Sequence, residues 1–150
     1  MTVRIDAEPF RSWFLEGAPL MRAHWEEVAN WRDEVPLEVD VVRACGMEER
    51  GELRAWTARH DDCLVGYVVC LIGPHLHYRT TIHGWVDVVY LVPALRGTGV
   101  GRRLLDRVIT DLREAGVRRL ACHVKLGFDF GPLLEQMGFR ATETIWETSL

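Results

Sequence analysis

The chain lacks the basic excess that a nucleic-acid binder needs. Its 18 Lys and Arg face 22 Asp and Glu, a formal net charge of -4. Arg102-Arg103 and Arg118-Arg119 are pairs, too short to track a polyanion, so no nucleic-acid partner is expected. Long apolar runs are also missing: nothing approaches the roughly 20 residues that cross a bilayer. The start, Met1 to Glu8, has no apolar core of a signal peptide, and no membrane partner is expected. Cysteine is sparse. Cys45, Cys63, Cys70 and Cys122 stand far apart with no C-x-x-C, which excludes a disulfide framework and predicts buried reduced thiols in a cytoplasmic protein. His75-Leu76-His77-Tyr78 offers two histidines but no third ligand at metal-binding spacing, so no metal is expected.

Repeats, low-complexity tracts and linkers are absent too, and 150 residues suit one domain, 1-150, with one core. Residues 1-51 read as helical. Phe10, Trp13, Phe14, Met21, Trp25 and Val28 recur at three- and four-residue spacing, and Gly17-Ala18-Pro19 predicts a break into two helices. These aromatics and Trp31 suit either a core or a homodimer interface. Asn30 to Pro36 reads as a loop and Asp40 to Glu49 as a short helix.

The core, 53-150, begins with two strands, Leu53 to His60 and Cys63 to Ile72, joined as a hairpin at Asp61-Asp62. Gly73-Pro74 should end the second strand, with His75 to Thr81 as a connection. Gly84 to Val92 is apolar except for Asp87, the pattern of a strand covered on both faces. Leu104, Leu105, Val108, Ile109 and Leu112 form one stripe of a long helix stopped at Gly116. Strand Val117 to Lys125, helix Phe130 to Met137 and strand Arg140 to Thr148 complete a mixed α/β domain. Its central mixed β-sheet is flanked by helices, and the long helix crosses over between parallel strands.

Between that apolar strand and that helix lies Arg96-Gly97-Thr98-Gly99-Val100-Gly101. Three glycines in five positions let the backbone turn tightly and expose its N–H groups, at the positive end of a helix dipole. That arrangement is an anion site suited to a phosphate or pyrophosphate. A P-loop needs Lys-Ser or Lys-Thr, and the chain has neither. The dinucleotide fingerprint fails because Arg102 stands where its third glycine belongs, and because the segment falls so late in the chain.

The run Tyr90-Leu91-Val92-Pro93-Ala94-Leu95-Arg96-Gly97-Thr98-Gly99-Val100-Gly101-Arg102 resembles the signature of the GNAT superfamily of N-acetyltransferases. That signature is an apolar strand, a proline, then R/Q-x-x-G-x-G/A opening a long helix. Leu133-Leu134-Glu135-Gln136-Met137-Gly138-Phe139 resembles a second family feature, and the likeness runs from about Leu53 to the C-terminus. It implies a GNAT-like acyltransferase fold and an enzyme that takes acetyl-CoA as co-substrate. The acceptor would be a small-molecule amine, a peptide N-terminus or a lysine. A non-catalytic acyl-CoA-binding module on the same fold is the alternative. By the same resemblance, Arg96, Gly97, Thr98, Gly99, Val100, Gly101 and Arg102 would bind the pyrophosphate. Val89, Tyr90 and Leu91 would pair with the pantetheine arm and polarise the acetyl carbonyl. Leu134 replaces a tyrosine that often protonates the departing thiolate, and Gly127 an asparagine that often touches the coenzyme.

Attack needs a neutral amine. Deprotonating a lysine-like ammonium at pH 7 costs roughly 4–5 kcal/mol, which a general base offsets. Asp87 is the first candidate. On a regular strand it shares a face with Val89 and Leu91, about 7 Å from the acetyl position. A carboxylate inside an apolar strand is either ion-paired, solvated or such a base. His123, on the neighbouring strand, titrates in the useful range and is the second candidate.

Overall fold

The computed structural model describes residues 2–150. Five strands form one sheet in the order β1-β2-β3-β4-β5: Val3–Ala7, Leu53–His60, Cys63–His75, Tyr78–Leu91 and Arg119–Cys122. The first four pair antiparallel, and β4 and β5 pair parallel. The β4-to-β5 connection is the helix α3 (Val100–Glu114), the crossover that a parallel pair requires. Helices α1 (Phe10–Val28) and α2 (Val41–Glu49) cover one face of the sheet. On the other, α3 is joined by the short α4 (Gly131–Gln136).

Side-chain periodicity sorts the two cores. From β3, Val68 and Cys70 enter the α3-side cluster, while Tyr67 and Val69 enter the α1-side cluster. Leu104, Leu105, Val108 and Leu112 form the buried stripe of α3, as their spacing predicts. Asp111, on the edge of that stripe, accepts from Trp56 Nε1 at 2.8 Å and from Arg107 Nε at 2.9 Å, tying the helix to β2. Asp61 and Asp62 both take positive φ, which turns the β2–β3 hairpin in two residues. Asp40 caps α2 through Arg43 N at 2.9 Å.

Five readings of the sequence need correction. The N-terminal region is not wholly helical, since Val3–Ala7 pairs with β2 as an edge strand. Pro19 does not divide α1, which is continuous from Phe10 to Val28. Pro19 and Leu15 lie on the exposed side, so the carbonyl that the missing N–H leaves free is open to solvent. Strand β3 passes through Gly73-Pro74, and β4 begins at Tyr78, so the expected connection is only the tip of a long hairpin. The register shifts at Pro74/His75, where a residue without an N–H disturbs the ladder. Strand β5 is four residues long and stops before His123. Residues 140–148 carry the strand pattern but join no ladder among the described residues. Asn30 Nδ2 meets Glu147 at 3.4 Å, and Ser149 meets Glu34, so that segment is drawn toward the loop after α1.

Candidate active site

The glycine turn is open and unfilled by its own chain. After β4 a short 3-10 turn, Pro93–Leu95, leads into Gly97 (φ 75°) and Gly99 (φ 87°). Both sit in the left-handed region that other residues reach only with strain. No atom lies within 4 Å of where a Cβ at either would stand. Helix α3 starts with Gly99 as N-cap and no side chain capping it, so its first N–H groups are left for an external anion. Thr98 Oγ1 turns inward and donates to the Leu95 carbonyl at 2.6 Å, which fixes the turn.

The arginines around the turn do other work. Arg96 is a strut: Nε donates to the Leu91 carbonyl at 2.9 Å, and the guanidinium grips Glu27 of α1 at 2.5 and 2.8 Å. It also lies over the Tyr90 ring, 5.5 Å from its centroid. Arg103 donates to the Val3 carbonyl at 2.8 Å, and Arg102 lies 3.7 Å from Asp106 on the helix surface. The turn's anion-binding capacity is therefore backbone N–H, with the exposed Arg102 beside it.

Beyond the turn, the sheet opens. Strands β4 and β5 pair only from His83–Arg119 to Val86–Cys122. From Asp87 onward β4 keeps β3 on one side and, among the described residues, has no strand on the other. At that point the β3 register jumps from Val69–Val88 to Cys70–Val86, leaving Asp87 as the extra residue of a β-bulge. Val86 and Val88 consequently fall on opposite faces. Val89 and Leu91 pack in the α3-side core, and Tyr90 packs under α1. The regular face shared by Asp87, Val89 and Leu91 is thus broken by the bulge. Asp87 keeps much of its surface exposed in the gap, yet the protein packed around its carboxyl desolvates it and holds it above the usual carboxylate range, while the charge of nearby His123 opposes that.

After Cys122 the chain keeps its alternation. Leu120, Cys122 and Val124 turn to the α3-side core, so Ala121, His123 and Lys125 are on the α1 side of the gap, exposed. Burial pushes the Cys70 and Cys122 thiols up to about 12, which keeps both protonated and inert. Leu134 is buried in the α3-side core and brings no hydroxyl to the gap.

The composition of the α1 side was not legible in the sequence. His24 of α1 stacks on Tyr90 with ring centroids 5.0 Å apart, and its Nδ1 lies 3.0 Å from the Tyr67 hydroxyl. Burial lowers the His24 pKa. Glu27 opposes the shift, and Arg96 and Lys125 add to it. Burial likewise raises the Tyr67 and Tyr90 hydroxyls. The signal was present as spacing: Trp13, Gly17, Leu20 and His24 recur on the sheet-facing stripe of α1, so His24 is a polar residue on an apolar face. Its partner Tyr67 lies 43 positions away, and no local pattern reports that pairing. Tyr78, by contrast, packs with His75 and His83 at the tip end of the hairpin. Among the described residues no group of three or more His, Cys, Asp or Glu could hold a metal ion.

The family model described as acetyltransferase (GNAT) family matches residues 10–139. The chain belongs to the GNAT acetyltransferase family. By fold and family it is an acetyl-CoA-dependent N-acyltransferase. A search of curated proteins gave no match. Solved structures share the fold over nearly the whole chain. A ribosomal-protein-alanine N-acetyltransferase from Brucella melitensis biovar Abortus 2308 is 23% identical, with a TM-score of 0.73 and 99% of each chain covered. A predicted acetyltransferase with acetyl-CoA from Clostridium acetobutylicum is 15% identical, with a TM-score of 0.71, covering 99% of this chain and 96% of that one. An aminoglycoside acetyltransferase from an uncultured soil metagenomic sample, in complex with sisomicin, is 10% identical. Its TM-score is 0.75, with 99% of this chain and 96% of that one covered. At these identities the GNAT neighbours attest the fold and leave the acceptor open.

Proposed function

We propose that this GNAT protein moves the acetyl group of acetyl-CoA directly to a primary amine of a small molecule or peptide. The observation that carries the reading is the uncapped glycine turn opening α3 beside a β4 that has lost its neighbour from Asp87 onward. An anion fits the turn because its N–H groups are free and because a Cβ at Gly97 or Gly99 would meet open space rather than protein. The N–H groups of Gly97 to Gly101 would hold the pyrophosphate, with Arg102 at the rim. The unpaired edge of Val89, Tyr90 and Leu91 would hold an extended arm as an added strand, and an N–H there would polarise the acetyl carbonyl. Acetyl-CoA supplies an activated acyl carbon to this cleft when bound.

Asp87 acts as the proton acceptor in this reading. The amine nitrogen forms its bond to the acetyl carbon, the carbon–sulfur bond breaks, and the proton released from nitrogen passes to the Asp87 carboxylate. The thiolate takes its proton from solvent. His123, whose charge reaches Asp87, is the second candidate for that role. Because the carboxyl pKa is raised, activity falls as pH drops through that raised value, where Asp87 is already protonated.

Calorimetry with acetyl-CoA and a thiol-release assay against a panel of amines test this. Asp87→Asn should cut kcat by at least about 100-fold and leave coenzyme affinity unchanged. No binding at millimolar acetyl-CoA would sink the proposal. Leu134, buried in the α3-side core, brings no hydroxyl to the departing thiolate, which is why solvent supplies that proton in this reading.

A further inference from the structure

The α1 side of the gap holds two groups that the transfer step does not use. His24 lies over Tyr90, and Lys125, three residues past the end of β5 and next to the inward-facing Val124, is close enough for its charge to act on His24. We propose that the His24 imidazole N–H and the Lys125 ammonium form a carboxylate subsite, so that the acceptor is an amine carrying a carboxylate close to its nitrogen. This rests on the acetyltransferase reading above and names the substrate class that reading leaves open.

The tautomer of His24 follows from its neighbours. Tyr67 is 2% exposed, and His24 Nδ1 is the one partner its hydroxyl has among the described residues. If Nδ1 carried the proton, the phenolic hydrogen would be buried without an acceptor, which costs about 1–3 kcal/mol. The Tyr67 hydroxyl therefore donates to Nδ1, and the imidazole proton sits on Nε2, which makes no hydrogen bond within the protein. A neutral donor is thus presented over Tyr90.

The charges around it complete the argument. Around His24 stand Tyr67 and Tyr90 from the sheet, Arg96 from the glycine turn, Glu27 from its own helix and Lys125 from beyond β5. Glu27 and Arg96 neutralise each other at 2.5 Å. No carboxylate among the described residues pairs with Lys125, although its charge reaches His24. One uncompensated cation and one N–H donor on the same side of the cleft suit an anionic oxygen. A plain alkylammonium would meet repulsion there and leave the donor unsatisfied.

The test measures thiol release for common amino acids, for the amine left when each loses its carboxylate, and for the peptide Asp-Ala amide. A preference for amino acids of at least about 10-fold in kcat/KM assigns a free amino acid, since 1.4 kcal/mol is tenfold. The same preference for the peptide assigns a peptide carboxylate. His24→Ala and Lys125→Met should each raise the acceptor KM about 10-fold or more, with acetyl-CoA affinity unchanged by calorimetry. His24→Gln, which keeps an N–H near the same place, should recover most of that loss. Proton–nitrogen correlation spectra of the imidazole should show His24 neutral with Nε2 protonated at pH 7. Equal turnover of the carboxylate-free amines overturns the proposal, as does no difference between the Ala and Gln variants. So does an absence of turnover throughout the panel while acetyl-CoA still binds. Failure to bind acetyl-CoA overturns the acetyltransferase reading instead.

Discussion

At Gly99 one residue type meets two demands. Its φ of 87° strains any L side chain, and it opens α3 with no side chain capping the first N–H groups. Gly99→Ala should lower stability by about 1–2 kcal/mol through the backbone alone. It should weaken acetyl-CoA by more than that strain explains, because the new methyl enters the space kept open beside the turn. Thermal melts and calorimetry on the same sample separate the two losses. Arg96 teaches the opposite lesson. Its place in the motif assigned it to phosphate, yet its guanidinium is spent on Glu27 and the Leu91 carbonyl. It holds the turn to α1 in this structure.

Among the elements, α1 stays regular across a proline, and β4 departs from regularity at Asp87. Pro19 is exposed, and α1 survives because its sheet-facing stripe, with Trp13 fully buried, fixes the helix independently of one hydrogen bond. Pro19→Ala should therefore raise stability, by up to about 3 kcal/mol on helix propensity, with kcat/KM unchanged. A fall in melting temperature would show that the proline shapes the helix. In β4 the bulge at Asp87 exchanges the faces of every residue after it. It sends Tyr90 rather than Leu91 under α1, and so creates the stack that carries His24. Alternation along the sequence predicted a carboxylate in line with Val89 and Leu91. The bulge could not be read there, because it exists only relative to the β3 register.

For the molecule as a whole, the hydrogen-bonded carboxylates Asp111 and Glu8 set the acid limit. Burial raises the Asp111 carboxyl, but the bonds from Trp56 and Arg107 outweigh it and leave the pKa below its ordinary 3.8. The Arg59 bond likewise holds Glu8 below its ordinary 4.5. A depressed carboxylate stabilises the fold above its unfolded-state value and loses that contribution as pH falls through the folded-state value. Stability should hold from neutral pH down to about 4.5 on these two groups and then drop. Asp111→Asn, followed by thermal melts across pH 3 to 7, should flatten that decline and lower the neutral-pH melting temperature. An unchanged acid profile would place the sensitivity elsewhere.

The sequence by itself determined the parts whose causes are local. A 3.6-residue stripe makes α3, and two aspartates turn the β2–β3 hairpin. Glycines at fixed offsets make an anion-binding turn, and these were enough to point to the family's donor. Tertiary structure decided what depends on register and distance. It made a strand of Val3–Ala7, carried α1 across Pro19, left residues 140–148 outside the sheet and stopped β5 at Cys122. It also brought His24 to Tyr67 and Tyr90. Ordinary helix propensity differs by at most about 0.7 kcal/mol per residue, whereas burying one large side chain is worth about 1.5–3 kcal/mol, so the several side chains that α1 packs on the sheet together outweigh even the roughly 3 kcal/mol that Pro19 costs.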